Sequence, residues 1–559
     1  MSFPQEVLAG IDVPRYLAPL DPMHLPRRQT DVLVVGGGVA GLSAAIAAGE
    51  RRDTLVLLKG GRRDTATNWA QGGMAVVWGS DDTRASHIED TTRVASGLGH
   101  RDVTEQVVGV GPQLLERWLS WGARFDRKED QLALAMEGGH SHHRIIHADG
   151  DQTGAEIQRF LIARAASLPR LGVMEHTFVL DLITDGPVVR GVIAWSPQQG
   201  FFCVWAASTI LSTGGVGQLY RETSNPRGAT ADGIAMAYRA GAPVRGMEFV
   251  QFHPTVLYVA GMSRILVSET ARGEGALLVD RNGHRFMPDY HPDAELAPRD
   301  AVSRSIVQHL AKVRDTNVYL DMRHLDAAFI RGRFPVIFKA CLEFGIDMSS
   351  DLIPVHPACH YMVGGVATDD WARTALTGLY AAGEVGSSGF HGANRMGSNS
   401  LLEGAVLGDR AGLDAAESDR QVVFASESGM PSSRAYDAGT VDIGDLDNAL
   451  RALMWRRVGI QRDGAGLESA ITRLHDWNHL LARRVFGDEK GWVLANKALA
   501  GWLIAHAASV RKESRGTHYR LDYTDTDDVN WLKDVSLVRP DLLGRHARPP
   551  TVTPTGPAA

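Results

Sequence analysis

An α/β fold followed by a helical C-terminal region is what this sequence predicts, on three observations. Residues 32–41 read VLVVGGGVAG: an apolar run of strand length, then Gly36, Gly38 and Gly41 in G-x-G-x-x-G spacing. Helix formers follow at once (LSAAIAA, residues 42–48), so the segment reads strand, tight glycine turn, helix. Residues 209–215 (TILSTGG) repeat the passage from strand into glycine. Beyond about residue 421 the composition changes. Leu446, Leu450, Leu453 and Met454, then Leu467, Ala470, Ile471 and Leu474, recur at helical spacing, and a third helical pattern spans about 492–511.

The glycine turn carries the first chemical reading. Its glycines let a backbone approach a pyrophosphate, and the helix start offers N–H groups and a positive dipole end. A Gly-rich structural turn is the competing reading. A second strand, residues 54–58 (TLVLL), ends in Lys59, where a nicotinamide dinucleotide site places an acid for the ribose. Asp53 precedes that strand, on the wrong side of it. A flavin dinucleotide therefore fits better.

With 559 residues the chain is long enough for three domains. A net charge of −7 gives no support to a nucleic-acid partner. Cys203, Cys341 and Cys359 are scattered, with no metal-ligand spacing, which fits a reducing cytoplasm. Residues 1–29 have no apolar core of a signal peptide, and no apolar run is long enough to predict a membrane helix or a membrane partner.

In chain order, helical patterning covers 87–95, 103–121 and 153–166, and strands are expected across 173–189 and 192–195. Residues 70–77 (AQGGMAVV) expose backbone at Gln71, Gly72 and Gly73, although alone they read as a hairpin turn. Residues 137–147 (EGGHSHHRIIH) hold four histidines, but no carboxylate or cysteine set accompanies them, so no metal site is assigned. Glu137, before two glycines, faces a cleft or solvent. Asp232 opens a helix in TADGIAMAYRAGA, where it caps N–H groups or touches a cofactor. EFVQFHPT (248–255), SETARGEGA (268–276), LAPRD (296–300) and HPACHYMVGGV (356–366) set polar groups beside turn residues, as binding loops do. Taken singly, His253, Ser268 and Arg299 read as structural rather than functional residues, and His360 again sits beside glycines. In TALTGLYAAGE (374–384), Glu384 ends a strand, placed to bond a ribityl hydroxyl. HGANRMGSNSLLEG (391–404) opens a helix whose N–H groups can meet a flavin edge. Residues 425–440 read as a linker, and the proline-rich end from 548 as a disordered tail.

Taken in order, GGGVAG, Lys59, AQGG, EGGHSHHR, ADGIAMA, QFHPT, ETARGEGA, RFMPDY, ELAPRD, CHYMVGG, GLYAAGE, GANRMGSNSL and ESRGTHY resemble the fumarate reductase/succinate dehydrogenase flavoprotein superfamily. Within it the chain is most similar to the L-aspartate oxidase family. The resemblance spans roughly residues 30–525. It implies a discontinuous Rossmann-like FAD-binding domain (1–246 and 361–431), an α+β capping domain (247–360), a C-terminal three-helix domain (432–547) and the tail (548–559).

It also implies a function: oxidation of L-aspartate to iminoaspartate, the first step of NAD biosynthesis through quinolinate. O2 (giving H2O2) or fumarate would be the acceptor, and quinolinate synthase the pathway partner. The implied FAD contacts are Gly36, Gly37, Gly38, Val39, Ala40, Gly41, Lys59, Ala66, Thr67, Asn68, Trp69, Ala70, Gln71, Gly72, Gly73, Asp232, Glu384, Ser400 and Leu401. The implied catalytic residues are His253, Ser268, Arg299, His360 and Arg395, with Glu137 reading the substrate ammonium. His253, His360 and Arg395 would hold one carboxylate, and Ser268 with Glu269 and Arg272 the other. Arg299 would exchange the proton.

The chain departs from the family pattern in places. Ser268 stands where Thr is common, Leu58 where a small hydroxylated residue precedes the Lys, and Met136 where Arg is frequent. Ala66 occupies the position of the histidine that bonds flavin covalently in succinate dehydrogenases, so FAD is expected to be noncovalent. The alternatives are a soluble fumarate reductase or succinate dehydrogenase flavoprotein subunit, and a flavin-binding scaffold without turnover.

Overall fold

The computed structural model describes residues 5–259, 265–425 and 441–543. The expected linker, apart from residue 425, and the expected tail lie outside them.

The fold class is the α/β one expected. Seven strands form the central sheet, with Arg27–Val35 in its middle. That strand runs parallel to Thr54–Leu57 on one side and to Gly200–Leu211 on the other. Leu171–Met174 extends the parallel part outward. Leu379–Ala381, from far along the chain, joins the Gly200–Leu211 strand at Thr209–Leu211. Phe178–Asp185 and Val188–Ser196 complete the sheet as an antiparallel meander. Val32, Leu33 and Val34 are fully buried, as a parallel strand covered on both faces requires. The run expected as strand across 173–189 is divided. His176, at φ +52°, separates Leu171–Met174 from Phe178–Asp185, and no strand holds that conformation.

Two helices frame the glycine turn. Val39–Gly49 leaves it directly, and Asn399–Glu417 packs along Val39–Gly49. The approach is close because glycines line it. A Cβ at Gly408 would lie 2.3 Å from Ala40 O, and one at Gly412 would lie 2.2 Å from Ala44 O. This contact carries the N-terminus of the second helix to the glycine turn.

Residues 250–362 build a four-stranded antiparallel sheet in the order Val250–Leu257, Ile353–Met362, Val318–Asp321, Leu277–Val279. It has its own core around Val302, Ile306, Leu320, Ile337 and Val355. Helix Arg299–Val313 lies against the first strand, where Ser303 Oγ donates to Phe252 O at 2.9 Å.

The C-terminal region holds helices Ile443–Arg457, Gly464–Ala482 and Glu489–Val510. Each starts on an aspartate, Asp442, Asp463 or Asp488, whose carboxylate accepts the N–H three residues on. Glu489–Val510 is long and apolar enough to cross a membrane by length and composition, although no apolar run in the sequence predicts such a helix. Most of it is buried against the other two helices and against Asp232–Ala240. The region is not purely helical. Asp534–Val538 pairs parallel with Gln5–Ala9 and antiparallel with Val244–Arg245 in a five-stranded sheet, so the two ends of the described chain meet.

Candidate active site

One cavity of about 610 Å³ runs from the glycine turn to the four-stranded sheet. At its first end, Gly36 takes φ +111°, and a Cβ there would sit 2.1 Å from Ser212 O, so no side chain fits. Gly37, Gly38, Val39 and Ala40 line the cavity beside it. Gly41 does not. A Cβ at Gly41 would meet Gly36 O at 2.1 Å, so this glycine closes the turn onto its own helix. The Val39 N–H is taken by Thr67 Oγ1 at 2.9 Å, which fastens the loop after the second strand to the turn.

That loop contributes Ala66, Thr67, Trp69, Ala70, Gln71, Gly72 and Gly73 to the wall; Asn68 is not among the lining residues. Lys59 closes the strand end. Its Nζ donates to Thr230 Oγ1 at 2.9 Å and to Asp232 Oδ2 at 3.0 Å. Asp232 therefore does not cap its helix: it accepts from Lys59, Thr230 and Asn496 instead. Glu384, accepting the Met362 N–H at 2.9 Å, has its carboxyl pushed up to about 7 by burial. Leu401 lines the cavity, and so does Ser400, whose hydroxyl accepts from Arg395 Nη2 at 2.7 Å. The hydroxyls of Ser212 and Thr213 and the Gln71 carbonyl are buried in this wall without a hydrogen-bond partner among the described residues. Buried polar atoms of that kind call for a ligand or ordered water. A long, glycine-lined cradle with such atoms fits a dinucleotide.

The second end gathers charge. Arg299 Nε donates to Glu269 Oε2 at 2.5 Å. Arg299 and Arg395 share Gln251 Oε1, at 3.4 and 3.2 Å. Three charged tips converge on one glycine: a Cβ at Gly397 would lie 2.8 Å from Arg299 Nη2, 3.0 Å from Glu137 Oε2 and 3.2 Å from Glu269 Oε2. Glu137 is buried, not a solvated loop acid. Ser398 Oγ donates to its Oε2 at 2.6 Å, and His147 Nε2 stands 3.8 Å from its Oε1. Burial alone would raise this carboxyl. The interactions with His147 and Ser398 and the Arg299 charge overcome that and hold it well below the usual carboxylate range.

His253 and His360 face each other, ring centroids 5.2 Å apart, from adjacent strands. Burial and the surrounding cations, Arg299 and Arg395 among them, push both imidazoles well below their ordinary range, so both are neutral. The Thr255 N–H donates to His253 Nδ1 at 3.2 Å, so the proton of neutral His253 is on Nε2. That Nε2 and Arg395 Nε are buried donors with no partner among the described residues. Burial and Arg299 lower Arg395 to about 10. Ser268 lines the same end, as the residue before the short helix Glu269–Gly273.

Arg272 is turned away. Its guanidinium donates to Glu295 O and to Glu269 Oε1, and it is not part of the cavity wall, so the expectation that it holds a carboxylate beside Ser268 is corrected. Gln251 escaped the sequence reading although it stands two residues from His253, on the same face of one strand, where period-two spacing points to it. Ser224, 2.9 Å from His360 Nδ1, had no local signal. Two histidines of the cluster are engaged within the protein: His140 Nε2 bonds Gly397 O, and His142 Nδ1 bonds Ser86 and Ser141.

Comparison with known proteins agrees with this geometry. The model for an FAD binding domain matches residues 31–401, and that for a fumarate reductase flavoprotein C-terminus matches 447–545. L-aspartate oxidase of Streptomyces coelicolor is 40% identical over 553 residues, covering 93% of this chain and 95% of its own. The chain belongs to the L-aspartate oxidase family. Another member, from Mycobacterium tuberculosis, is 42% identical, with 89% and 94% of the two chains covered. Among solved structures, the flavoprotein chain of a mutated Escherichia coli quinol fumarate reductase superposes with a TM-score of 0.83. It is 32% identical, with 92% of this chain and 94% of that one covered. Mycobacterium smegmatis Sdh1 follows at 0.79 and 32%, with 93% and 97% covered. As in its family, FAD is the cofactor, and the protein is a flavin oxidoreductase.

Proposed function

We propose that the protein oxidises L-aspartate to iminoaspartate, with O2 (giving H2O2) or fumarate as the final electron acceptor. One observation carries this reading: a buried, ionised Glu137 shares a cavity with two guanidinium groups and an imidazole donor that lacks a partner among the described residues. An amino dicarboxylate answers both needs at once. Its carboxylates meet Arg395, His253, His360, Arg299 and Ser268, and its ammonium meets Glu137. Succinate offers Glu137 nothing.

FAD supplies the hydride acceptor when bound, held by the glycine turn, Lys59, the Ala66–Gly73 loop, Asp232, Glu384 and Leu401. Arg395 takes a carboxylate through charge-assisted bonds that suit its fork of donors. Neutral His253 donates from Nε2 without adding positive charge. Arg299, joined to Glu269, screens the developing charge and exchanges protons in fumarate chemistry. Ala66 has no nucleophile, so the cofactor is noncovalent. Iminoaspartate hydrolyses in water, so the next enzyme, quinolinate synthase in NAD biosynthesis, must take it promptly.

The test is H2O2 release by FAD-loaded protein in air. L-aspartate is expected to give it and succinate not. Turnover of succinate alone would overturn the reading.

A further inference from the structure

The third C-terminal helix touches the cofactor end of the cavity through one buried side chain. Asn496, wholly buried within Glu489–Val510, donates from Nδ2 to Asp232 Oδ1 at 2.8 Å. Its Oδ1 accepts from Arg239 Nη1 at 2.7 Å. Arg239 is itself fixed by Asp181 Oδ1 at 2.7 Å and Leu180 O at 2.9 Å. Beyond Asp232 the chain of bonds continues to Thr230 and Lys59.

This arrangement admits one orientation of the amide. The oxygen faces a guanidinium, which can only donate, and the nitrogen faces a carboxylate, which accepts. Turning the amide over would set oxygen against Asp232 and N–H against Arg239. Asp232 is consequently held from two sides: Asn496 fixes Oδ1, and Lys59 with Thr230 fixes Oδ2. Asp232 and Lys59 both line the cavity. Glu489, the first residue of the same helix, lines it too, 3.5 Å from Lys59 Nζ.

We propose that Asn496 is a positioning residue for the cofactor: it aims the Asp232 carboxylate into the FAD cavity and makes cofactor retention depend on the C-terminal helices. Neither asparagine's carboxylic analogue nor an apolar residue can replace it. Aspartate at 496 would set two carboxylates against each other. Leucine would strip one bond from Asp232 and one from Arg239, both buried. The inference rests on FAD occupying this cavity.

The experiment measures the Kd for FAD of apo-protein by flavin fluorescence, beside the melting temperature of the same apo-protein. Four proteins are compared with wild type: Asn496→Leu, Asn496→Asp, Asp232→Ala and Asp232→Ala with Asn496→Leu. The expected result is a Kd raised about tenfold or more in Asn496→Leu and in Asn496→Asp, the size of a hydrogen bond to a charged group. The double variant should bind no more weakly than Asp232→Ala, because the asparagine acts through that carboxylate. Asn496→Asp is nearly isosteric and keeps an acceptor for Arg239, so it reports even if Asn496→Leu fails to fold. A wild-type Kd in Asn496→Asp would overturn the proposal, as would full additivity in the double variant. If wild type itself binds no FAD, the cavity's assignment fails instead, and the two failures are thereby distinguished.

Discussion

The two ends of the cavity solve different problems by different means. The cofactor end is framed by a local backbone motif, a glycine turn with a loop fastened to it by Thr67, and by a lysine whose partners, distant in sequence, are already in place. The substrate end is built from side chains brought together from five distant segments. There Glu137, Glu269 and Arg299 meet around Gly397, and Gln251 links Arg299 to Arg395. Its key donors, His253 Nε2 and Arg395 Nε, have no partner among the described residues. One end is preformed for a group that stays. The other presents ionised side chains to a substrate that comes and goes; each end keeps buried polar atoms for its ligand, Ser212, Thr213 and Gln71 at the first, His253 and Arg395 at the second.

If that division is real, the ends can be damaged separately. The largest effect is expected from Arg395→Leu. Turnover should fall by about a thousandfold or more, since a buried charge-assisted pair is removed, while bound FAD is retained. Stopped-assay rates and the flavin-to-protein absorbance ratio measure both. Loss of FAD along with activity would break the comparison.

Glu137→Gln should lower kcat/KM for L-aspartate about a hundredfold and that for fumarate reduction much less. Equal losses in the two reactions would make Glu137 a structural acid rather than an ammonium reader.

Gly408→Ala strikes the cofactor end through its frame. The new Cβ must push Ala40 O away from 2.3 Å, separating the helices that carry the glycine turn. A stability loss of about 2–3 kcal/mol, read by denaturant unfolding, and weaker FAD binding are expected.

The smallest effect concerns protons. His253 and His360 have folded-state values well below the ordinary 6.5, so the unfolded chain binds protons more readily than the folded one as pH falls. This destabilisation is absent above about pH 7 and grows below about 6.5. Substrate-free protein should therefore melt at lower temperature at pH 5.5 than at pH 7.5, and His253→Gln should flatten part of that slope. An unchanged slope would mean that His253 is not held neutral.

The same division explains what the sequence made legible. Strand, glycine turn, helix and Lys59 lie within about thirty residues, so local pattern suffices to find them. The parallel strands and the C-terminal helices follow from apolar spacing in the same way. The substrate end is different: its motifs appeared one by one as ordinary loop residues, and only their order as a family set pointed to a site. Even that order does not single out Gln251, which joins the two arginines, and it suggests Arg272 through its place in ETARGEGA although its side chain faces Glu295. Asn496 had no signal, because nothing local says that a helix interior will meet Asp232 across 264 residues of chain. The pairing of Asp534–Val538 with Gln5–Ala9 is hidden for the same reason. Asp232 shows a subtler limit: a helix start favours a capping role, and tertiary partners took the carboxylate instead.

The most direct test of the division is an anaerobic flavin spectrum of FAD-loaded protein titrated with L-aspartate, for wild type and Arg395→Leu side by side. Wild type should bleach with L-aspartate and release H2O2 when air is admitted. Arg395→Leu should show the same starting spectrum, resist L-aspartate and still bleach with dithionite. A variant that bleaches with L-aspartate as wild type does, or that holds no flavin, would contradict the account.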